Sequence, residues 1–175
     1  MHVRVFLLLF FSIFVLTQEV EEVITTGSLI KDIEANSLPV ELITKEDFDD
    51  LNINSVAEIS KYLSSSSGSH FQTNALDGVD QGMSNITLRG LDHASTLVLI
   101  NSKRQTFSGT TSQEGEGYID MNINPVIAFE KVEILKEGAT SLYGSDSVAG
   151  VINFFTYKEF DGFKLKFGEQ NTTNY

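Results

Sequence analysis

The sequence contains no cysteine and no tryptophan, and it has only two prolines in 175 residues. The missing cysteine excludes a disulfide-bonded scaffold, a thiol nucleophile, cysteine-ligated zinc or iron–sulfur sites, and a lipid-anchored bacterial N-terminus. Basic residues are also few, since 12 Lys and Arg stand against 24 Asp and Glu and give a formal net charge of −12. Because phosphate binding needs clustered Lys and Arg, this balance argues against a nucleic-acid partner. The hydrophobic content of 41% is nevertheless that of a chain that folds.

The apolar run near the N-terminus is too short to span a membrane. Residues 5–16 are apolar except for Ser12, and as a helix they would cover about 18 Å of a hydrocarbon core of about 30 Å. The run follows Arg4 and ends abruptly before Gln18, which is the pattern of an export signal. We therefore predict a signal peptide at residues 1–17. The alternative is an N-terminal core strand or helix, which the lack of any alternation or polar face in the run disfavours.

Motifs of known catalytic chemistry are absent from the sequence. It contains no G-x-S-x-G elbow, no Walker loop and no H-E-x-x-H pair. Residues 115–117 read Gly-Glu-Gly, but no helical pattern follows them, so they are better explained as part of a loop. His2, His70 and His93 lie on separate segments without the spacing of metal ligands. An enzyme is therefore disfavoured, and we predict neither a metal nor a cofactor.

Hydrophobic patterning and capping residues predict an α+β fold. Thr44 is placed to cap a helix that runs to Leu51, and the capping box Ser55–Glu58 opens a second helix with Val56, Ile59, Tyr62 and Leu63 on one face. Predicted strands lie at residues 38–43, 70–73, 84–89, 96–100, 130–135, 148–155 and 160–167, with helical turns at 125–129 and 139–143. Two long polar loops, residues 74–85 and 106–118, separate these elements. Loops of that length in a small domain are usually functional or disordered.

Three stretches of the chain together resemble the plug domain of TonB-dependent outer-membrane receptors. The first is EEVITTG at residues 21–27, which is similar to the TonB box that these receptors offer to a periplasmic coupling protein. The second is ITLRG at residues 86–90, followed by TLVLINSKR at 96–104. The third covers residues 119–156 and contains NPVIAFEKVEILKEGATSLYGSDSVAGVINFFT. One departure is Ser102 after Asn101, where the family commonly has the glycine that a type I′ turn favours.

The resemblance implies a division of the chain and a fold. Residues 1–17 would be the signal peptide, 18–28 an extended segment similar to the TonB box, 29–156 the plug, and 157–175 the start of a transmembrane β-barrel, of which only the first strand is present. The plug would be compact, with a small mixed sheet, two short helices and long apical loops. We expect the coupling segment to consist of Glu21, Glu22, Val23, Ile24, Thr25 and Thr26.

The apical loops would face a small-molecule ligand of the iron-chelate, cobalamin or saccharide class. In this sequence the candidate ligand-facing residues are Asn74, Asp77, Asp80, Gln81, Phe107, Ser108, Thr110, Gln113, Glu114 and Glu116. The implied partners are a TonB-type coupling protein, the β-barrel of the same receptor and the outer membrane. In the implied mechanism, ligand binding releases residues 21–26, and the coupling protein pairs with them as an added strand.

A further set of residues carries the family pattern itself. These are Arg89, Gly90, Arg104, Pro125, Glu133, Gly138, Tyr143, Gly144, Gly150 and Asn153. The glycines at 138, 144 and 150 are explained by turns and close backbone approach alone. Arg89 and Glu133 are either paired with charges of the plug or the barrel wall, or exposed on a strand face; the sequence leaves both readings open.

The length of the chain sets a last expectation. A barrel that encloses a plug needs about 22 strands of roughly 10 residues each, whereas 19 residues follow Thr156. The sequence therefore predicts a truncated receptor, with a barrel-less plug-like protein as the other reading. A soluble periplasmic binding module of plug-like fold is the alternative function, because it would also have a signal and polar loops.

Overall fold

The structure, a computed structural model, describes residues 26, 40–66, 84–112, 115–137, 139–165 and 167. Five strands form one mixed sheet: β1 (Val40–Thr44), β2 (Thr96–Ile100), β3 (Lys103–Arg104), β4 (Phe129–Leu135) and β5 (Gly150–Thr156). Their order is β1-β4-β5-β2-β3, with β2 and β5 parallel and every other pair antiparallel. The predicted α+β fold with a small mixed sheet is thus confirmed. The strands predicted at 96–100, 130–135 and 148–155 are found with shifts of at most two residues.

The sheet buries both of its faces. Alternate residues of its central strands pack into a large cluster that includes Val132, Ile152 and Phe154, each at most 1% exposed. The residues between them, among which are Leu135 and Val151, form a smaller cluster on the opposite face. Strands that are covered on both sides read as continuous apolar runs, which explains the sequence of β2.

Two capping boxes begin the helices in the first half of the domain. Helix α1 (Lys45–Asp50) starts at Thr44, whose N–H donates to Asp47 Oδ2 at 2.8 Å while its hydroxyl accepts from the Asp47 N–H. The second predicted helix is a 3₁₀ helix, Val56–Lys61, and Glu58 accepts the N–H groups of Asn54 and Ser55 at its start. Burial of Glu58 opposes its ionisation, but these donors together with Lys61 hold the pKa of the carboxyl below its ordinary value. Both caps were predicted from the sequence.

The buried face of the 3₁₀ helix is the predicted one except at a single residue. Val56, Ile59 and Leu63 lie in the core, whereas Tyr62 is 45% exposed and donates its hydroxyl to the Leu51 carbonyl. Tyr62 is the C-cap residue of this helix, so it lies where the helical repeat has ended and the repeat no longer sets the direction of its side chain. A short second α-helix, α2 (Thr140–Tyr143), lies where a helical turn was predicted, and a 3₁₀ turn covers Val126–Ala128.

Two predicted strands are wrong. Residues 84–89 form no regular ladder: Leu88 makes an isolated bridge with Ser66, the Leu88 N–H donates to Thr96 Oγ1, and the Ser84 carbonyl accepts from the Met121 N–H. The segment is extended and buried, but its hydrogen bonds go to several separate partners. In the predicted strand at 160–167, the described residues 160–165 and 167 are not in a strand. An alternating pattern needs a neighbouring strand to pair with, and among the described residues this segment has none.

Several predictions lie outside the described residues. These are the signal peptide, the strand at 70–73, most of the loop at 74–85, and residues 113, 114 and 138. In the part of the chain that is described, every helix is too short or too polar to cross a lipid bilayer. Within the same residues no group of three or more His, Asp or Glu is arranged to hold a metal ion.

Candidate functional site

Thr26 is the one described residue of the predicted coupling segment, and it is docked on the sheet. Its side chain is fully buried. Its N–H donates to Glu133 Oε2 at 2.7 Å, and its hydroxyl accepts from Asn153 Nδ2 at 2.9 Å. Glu133 and Asn153 are direct neighbours in the register of β4 and β5, so their side chains leave the same face side by side. The last residue of the segment is therefore held by two adjacent polar side chains of the central strands.

Thr26 and Lys131 both contact the fully buried carboxylate of Glu133. Besides the Thr26 N–H, Lys131 Nζ lies 2.9 Å from Glu133 Oε1. Lys131 is two residues earlier in β4 and so on the same face, where its ammonium also lies 5.3 Å from the centroid of the Phe155 ring. Of the two readings left open by the sequence, the structure gives the buried and paired one for Glu133. A buried charge that lost one of these partners would be costly, because nothing in the interior replaces water.

Asn153 extends the site to the hairpin between β2 and β3. Its Oδ1 accepts from the Ser102 N–H at 3.0 Å, and its Nδ2 donates to Ser102 Oγ at 3.2 Å. We call Thr26, Ser102, Lys131, Glu133 and Asn153 the docking cluster. The cluster joins the N-terminal segment, one tight turn and both central strands of the sheet.

The turn at Asn101 and Ser102 has the positive φ angles of a type I′ turn, although Ser102 stands where the family commonly has glycine. Both residues have positive φ, 49° and 63° respectively. Asn tolerates that region and Ser does so rarely. Asn101 Oδ1 accepts from the Thr156 N–H at 3.0 Å, so the turn is fastened to the end of β5 as well as to Asn153.

The predicted ligand-facing loop at residues 106–118 is braced by its own hydrogen bonds. The Ser108 N–H donates to the Tyr118 carbonyl and the Ser112 N–H to the Glu116 carbonyl, each at 2.8 Å. The hydroxyls of Thr110 and Tyr118 are 3.1 Å apart. The Phe107 ring lies against Gly117, where an added Cβ would come within 3.0 Å of it. The described part of the loop is thus a pre-formed structure.

The candidate ligand-facing residues differ in how much of each side chain is available. Phe107 is 53% exposed and Thr110 is also exposed, whereas Ser108 is partly buried. Glu116 is partly buried, with Oε2 accepting from the His93 N–H at 3.3 Å, so its carboxylate fastens the loop to the turn before β2. Gln113 and Glu114, and the candidates Asn74, Asp77, Asp80 and Gln81 in the first loop, lie outside the described residues.

A groove of about 240 Å³ opens beside this loop. Arg104, Phe107, Ile119 and Asp146 are among its lining residues. Arg104 Nη1 donates to Asp146 Oδ2 at 2.6 Å, and Nη2 donates to the Tyr143 carbonyl. The hydroxyl of Ser145 and the Arg104 guanidinium hold the pKa of the Asp146 carboxyl below its usual value. Arg104 therefore ties β3 to α2 and to the turn that follows it.

The other residues of the family pattern serve turns and close contacts. Arg89 and Gly90 both have positive φ, and the exposed Arg89 guanidinium donates to the Lys136 carbonyl and lies 3.6 Å from Glu137. Pro125 precedes the 3₁₀ turn Val126–Ala128. Gly144 and Gly150 have φ of 88° and 143°, as the glycine pattern predicted.

Two members of the docking cluster, Lys131 and Ser102, were not among the predicted site residues. For Lys131 a signal was present, because a residue two positions from Glu133 in a strand shares its face. Ser102 was noted only as a departure from the family pattern, and nothing local indicates its contact with Asn153, which is 51 residues away.

Comparison with known proteins identifies the fold and its family. Residues 32–151, more than half of the chain, match the TonB-dependent Receptor Plug Domain family. The chain is 32% identical over 130 residues to "Probable TonB-dependent siderophore receptor PirA" of Acinetobacter baumannii, an alignment covering 70% of this chain and 16% of that protein. It is 37% identical over 75 residues to "Iron-regulated outer membrane virulence protein" of Vibrio cholerae serotype O1, covering 42% of this chain and 12% of the relative.

Solved structures agree with these matches. The crystal structure of the siderophore receptor PirA from Acinetobacter baumannii has a TM-score of 0.51 and 31% identity, over 72% of this chain and 18% of that one. The ferric citrate transporter FecA in its unliganded form has a TM-score of 0.53 at 20% identity, over 69% of this chain and 18% of that one, and shows the fold alone. The fold is that of a receptor plug, and the chain belongs to the TonB-dependent receptor plug-domain family. It spans less than a fifth of the length of these relatives.

Proposed function

We propose that the chain is the plug of an outer-membrane receptor for an iron chelate of the siderophore class. The observation that carries this proposal is the 32% identity, over 70% of the chain, to a protein named as a TonB-dependent siderophore receptor. The name of the Vibrio relative also refers to iron and to the outer membrane. No comparison reported above points to cobalamin or to a saccharide, so we propose the iron chelate among the three classes.

The described part of the second loop supports a ligand-facing role. It is pre-formed, it leaves Phe107 and Thr110 exposed, and it adjoins the groove that is lined by Arg104 and Asp146. A pre-formed loop pays little ordering entropy when a ligand binds. An aromatic ring beside hydroxyl groups suits a chelate that presents both ring faces and polar oxygens.

We propose residues 21–26 as the segment that a TonB-type periplasmic protein captures. The docked Thr26 supports this proposal, because a segment that signals ligand binding must be held by the plug before it is released. Once free, its β-branched sequence VITT suits pairing as an added strand. Force on the segment would then act directly on β4 and β5 through Glu133 and Asn153.

Deletion of residues 20–26 in the receptor tests the proposed function. The deletion should abolish energy-dependent uptake of an iron-labelled siderophore by whole cells while surface binding at low temperature stays unchanged. A panel of ferric siderophores, cobalamin and an oligosaccharide, assayed on cells with the undeleted receptor, identifies the ligand class. Uptake that persists in the deletion strain would overturn the coupling assignment, and uptake of cobalamin or the saccharide alone would overturn the iron assignment.

A further inference from the structure

The side chain of Asn153 lies between Thr26 and the turn at Ser102, and it uses its amide on both. It is fully buried. The Ser102 N–H can only donate, so the atom 3.0 Å from it must be the amide oxygen. This fixes Nδ2 toward the hydroxyls of Thr26 and Ser102, at 2.9 and 3.2 Å. Asparagine is the residue that meets this demand without charge, since Asp would lack the donors and would place a second carboxylate beside Glu133.

The turn depends on this contact more than an ordinary hairpin turn does. Ser102 has φ of 63°, a conformation that is unfavourable for residues other than Gly, Asn and Asp. Asn153 holds the backbone of Ser102 and its hydroxyl in that conformation. The same amide group therefore both orients the turn and grips Thr26.

We propose that Glu133 and Asn153 are the docking site that retains the coupling segment, and that Asn153 links its grip on Thr26 to the conformation of the turn at residues 101–102. The inference rests on the proposed function in taking residues 21–26 as the coupling segment. Linkage of this kind is reciprocal: releasing Thr26 loosens the turn, and opening the turn weakens the hold on Thr26 by the same free energy. The turn is then a control point for release of the segment.

Thiol labelling measures the release directly, because the chain has no cysteine of its own. The single-cysteine variant Glu22→Cys is placed in the coupling segment, and its reaction rate with a maleimide is measured in isolated outer membranes. Thr26→Val removes the hydroxyl that accepts from Asn153. Glu133→Gln replaces the charged carboxylate that accepts from the Thr26 N–H with a neutral amide. Ser102→Ala removes the hydroxyl of the turn that accepts from Asn153. We expect each change to raise the labelling rate. The increase should be roughly fivefold for Thr26→Val and Ser102→Ala, which remove hydrogen bonds between uncharged groups, and roughly tenfold for Glu133→Gln.

Two controls separate undocking from loss of the fold. Thr96→Val is the matched control, since Thr96 is buried in the same sheet and its hydroxyl accepts from the Leu88 N–H at 3.0 Å, away from the docking cluster. Ala57→Cys, in the large core, reports global unfolding because Ala57 is 1% exposed. The variants of the docking cluster should leave labelling at position 57 slow, and Thr96→Val should leave labelling at position 22 unchanged.

Amide hydrogen exchange of a peptide covering residues 97–104 tests the linkage in the opposite direction. Thr26→Val, which lies outside the turn, should speed exchange at the turn roughly twofold or more. Labelling rates at position 22 that do not respond to Thr26→Val or Glu133→Gln would overturn the docking site. Faster labelling without faster exchange at the turn would overturn the linkage. Labelling needs no transport, so either failure is distinct from failure of the uptake assay.

Discussion

Gly150 shows how tightly a single position can be constrained at the start of a central strand. Its φ is 143°, and an added Cβ would lie 2.7 Å from the Leu135 carbonyl oxygen and 2.8 Å from Leu88 Cδ1. The first of these contacts is with backbone inside the sheet, which cannot move without breaking the pairing of β4 and β5. Position 150 therefore requires glycine both because its φ is positive and because there is no room for a Cβ atom.

We predict that Gly150→Ala lowers the free energy of unfolding by about 3 kcal/mol, the sum of backbone strain and overpacking. Urea unfolding followed by circular dichroism measures the change. Gly109→Ala is the matched control: no atom lies within 4 Å of its added Cβ, and we expect a change within about 0.5 kcal/mol. Equal stabilities for the two variants would contradict this account of Gly150.

Glu133 and Arg89 lie in similar sequence contexts but in different environments. Both are charges in β-rich segments, and the sequence left each either paired or exposed. The structure buries Glu133 completely, whereas Arg89 is exposed. The burial of Glu133 depends on two long-range features, the register of β4 with β5 and the contact with Thr26, which lies 107 residues earlier in the chain. The local sequence pattern gives no information about the strand register or about this contact.

At the scale of elements, the β2–β3 hairpin turn combines an unfavourable conformation with a compensating contact. Ser102→Gly removes the conformational cost and the hydroxyl together, while Ser102→Ala removes only the hydroxyl. We predict that the Gly variant is more stable than the Ala variant by about 1 kcal/mol and close to the parent protein. Chemical unfolding of the three proteins checks the order. An Ala variant as stable as the Gly variant would mean that the turn does not hold residue 102 at positive φ.

Elements with local signals were predicted well, and elements that depend on partners were not. Thr44 and Ser55 mark their helix starts through side chains three residues away, and β2 is recognisable because both of its faces are apolar. The strand predicted at 84–89 failed because its buried groups bond to Ser66, Thr96 and Met121 instead of one neighbouring strand. The docking cluster could be predicted only in part, since Glu133 and Asn153 stood out by family resemblance while Ser102 joins them through a contact across 51 residues.

For the molecule as a whole, β5 is the strand on which the sheet depends. This strand pairs with both β2 and β4, and residues 152–154 contribute Ile152, Asn153 and Phe154, which are all at most 1% exposed. The family match ends at residue 151, the second of the seven residues of that strand. Beyond Tyr157 the character changes: Phe163 and Phe167 are 85% and 90% exposed. The sheet therefore ends at Thr156, and the described residues that follow it do not contribute to its core.

This arrangement predicts that the plug folds without the segment that follows it, provided that the chain is cut after β5 and not within it. A chain of residues 18–156 should unfold cooperatively in urea, whereas a chain of residues 18–151 should not, because it loses five of the seven residues of β5 together with the Asn153 contacts to Thr26 and Ser102. The longer fragment should also bind less detergent than residues 18–175, since it lacks the exposed phenylalanines. Circular dichroism during urea titration distinguishes the two fragments, and the slope of the transition reports the surface that is exposed. Loss of cooperative unfolding in the 18–156 fragment would show that residues beyond Thr156 are part of the folding unit and that the domain boundary proposed here is wrong.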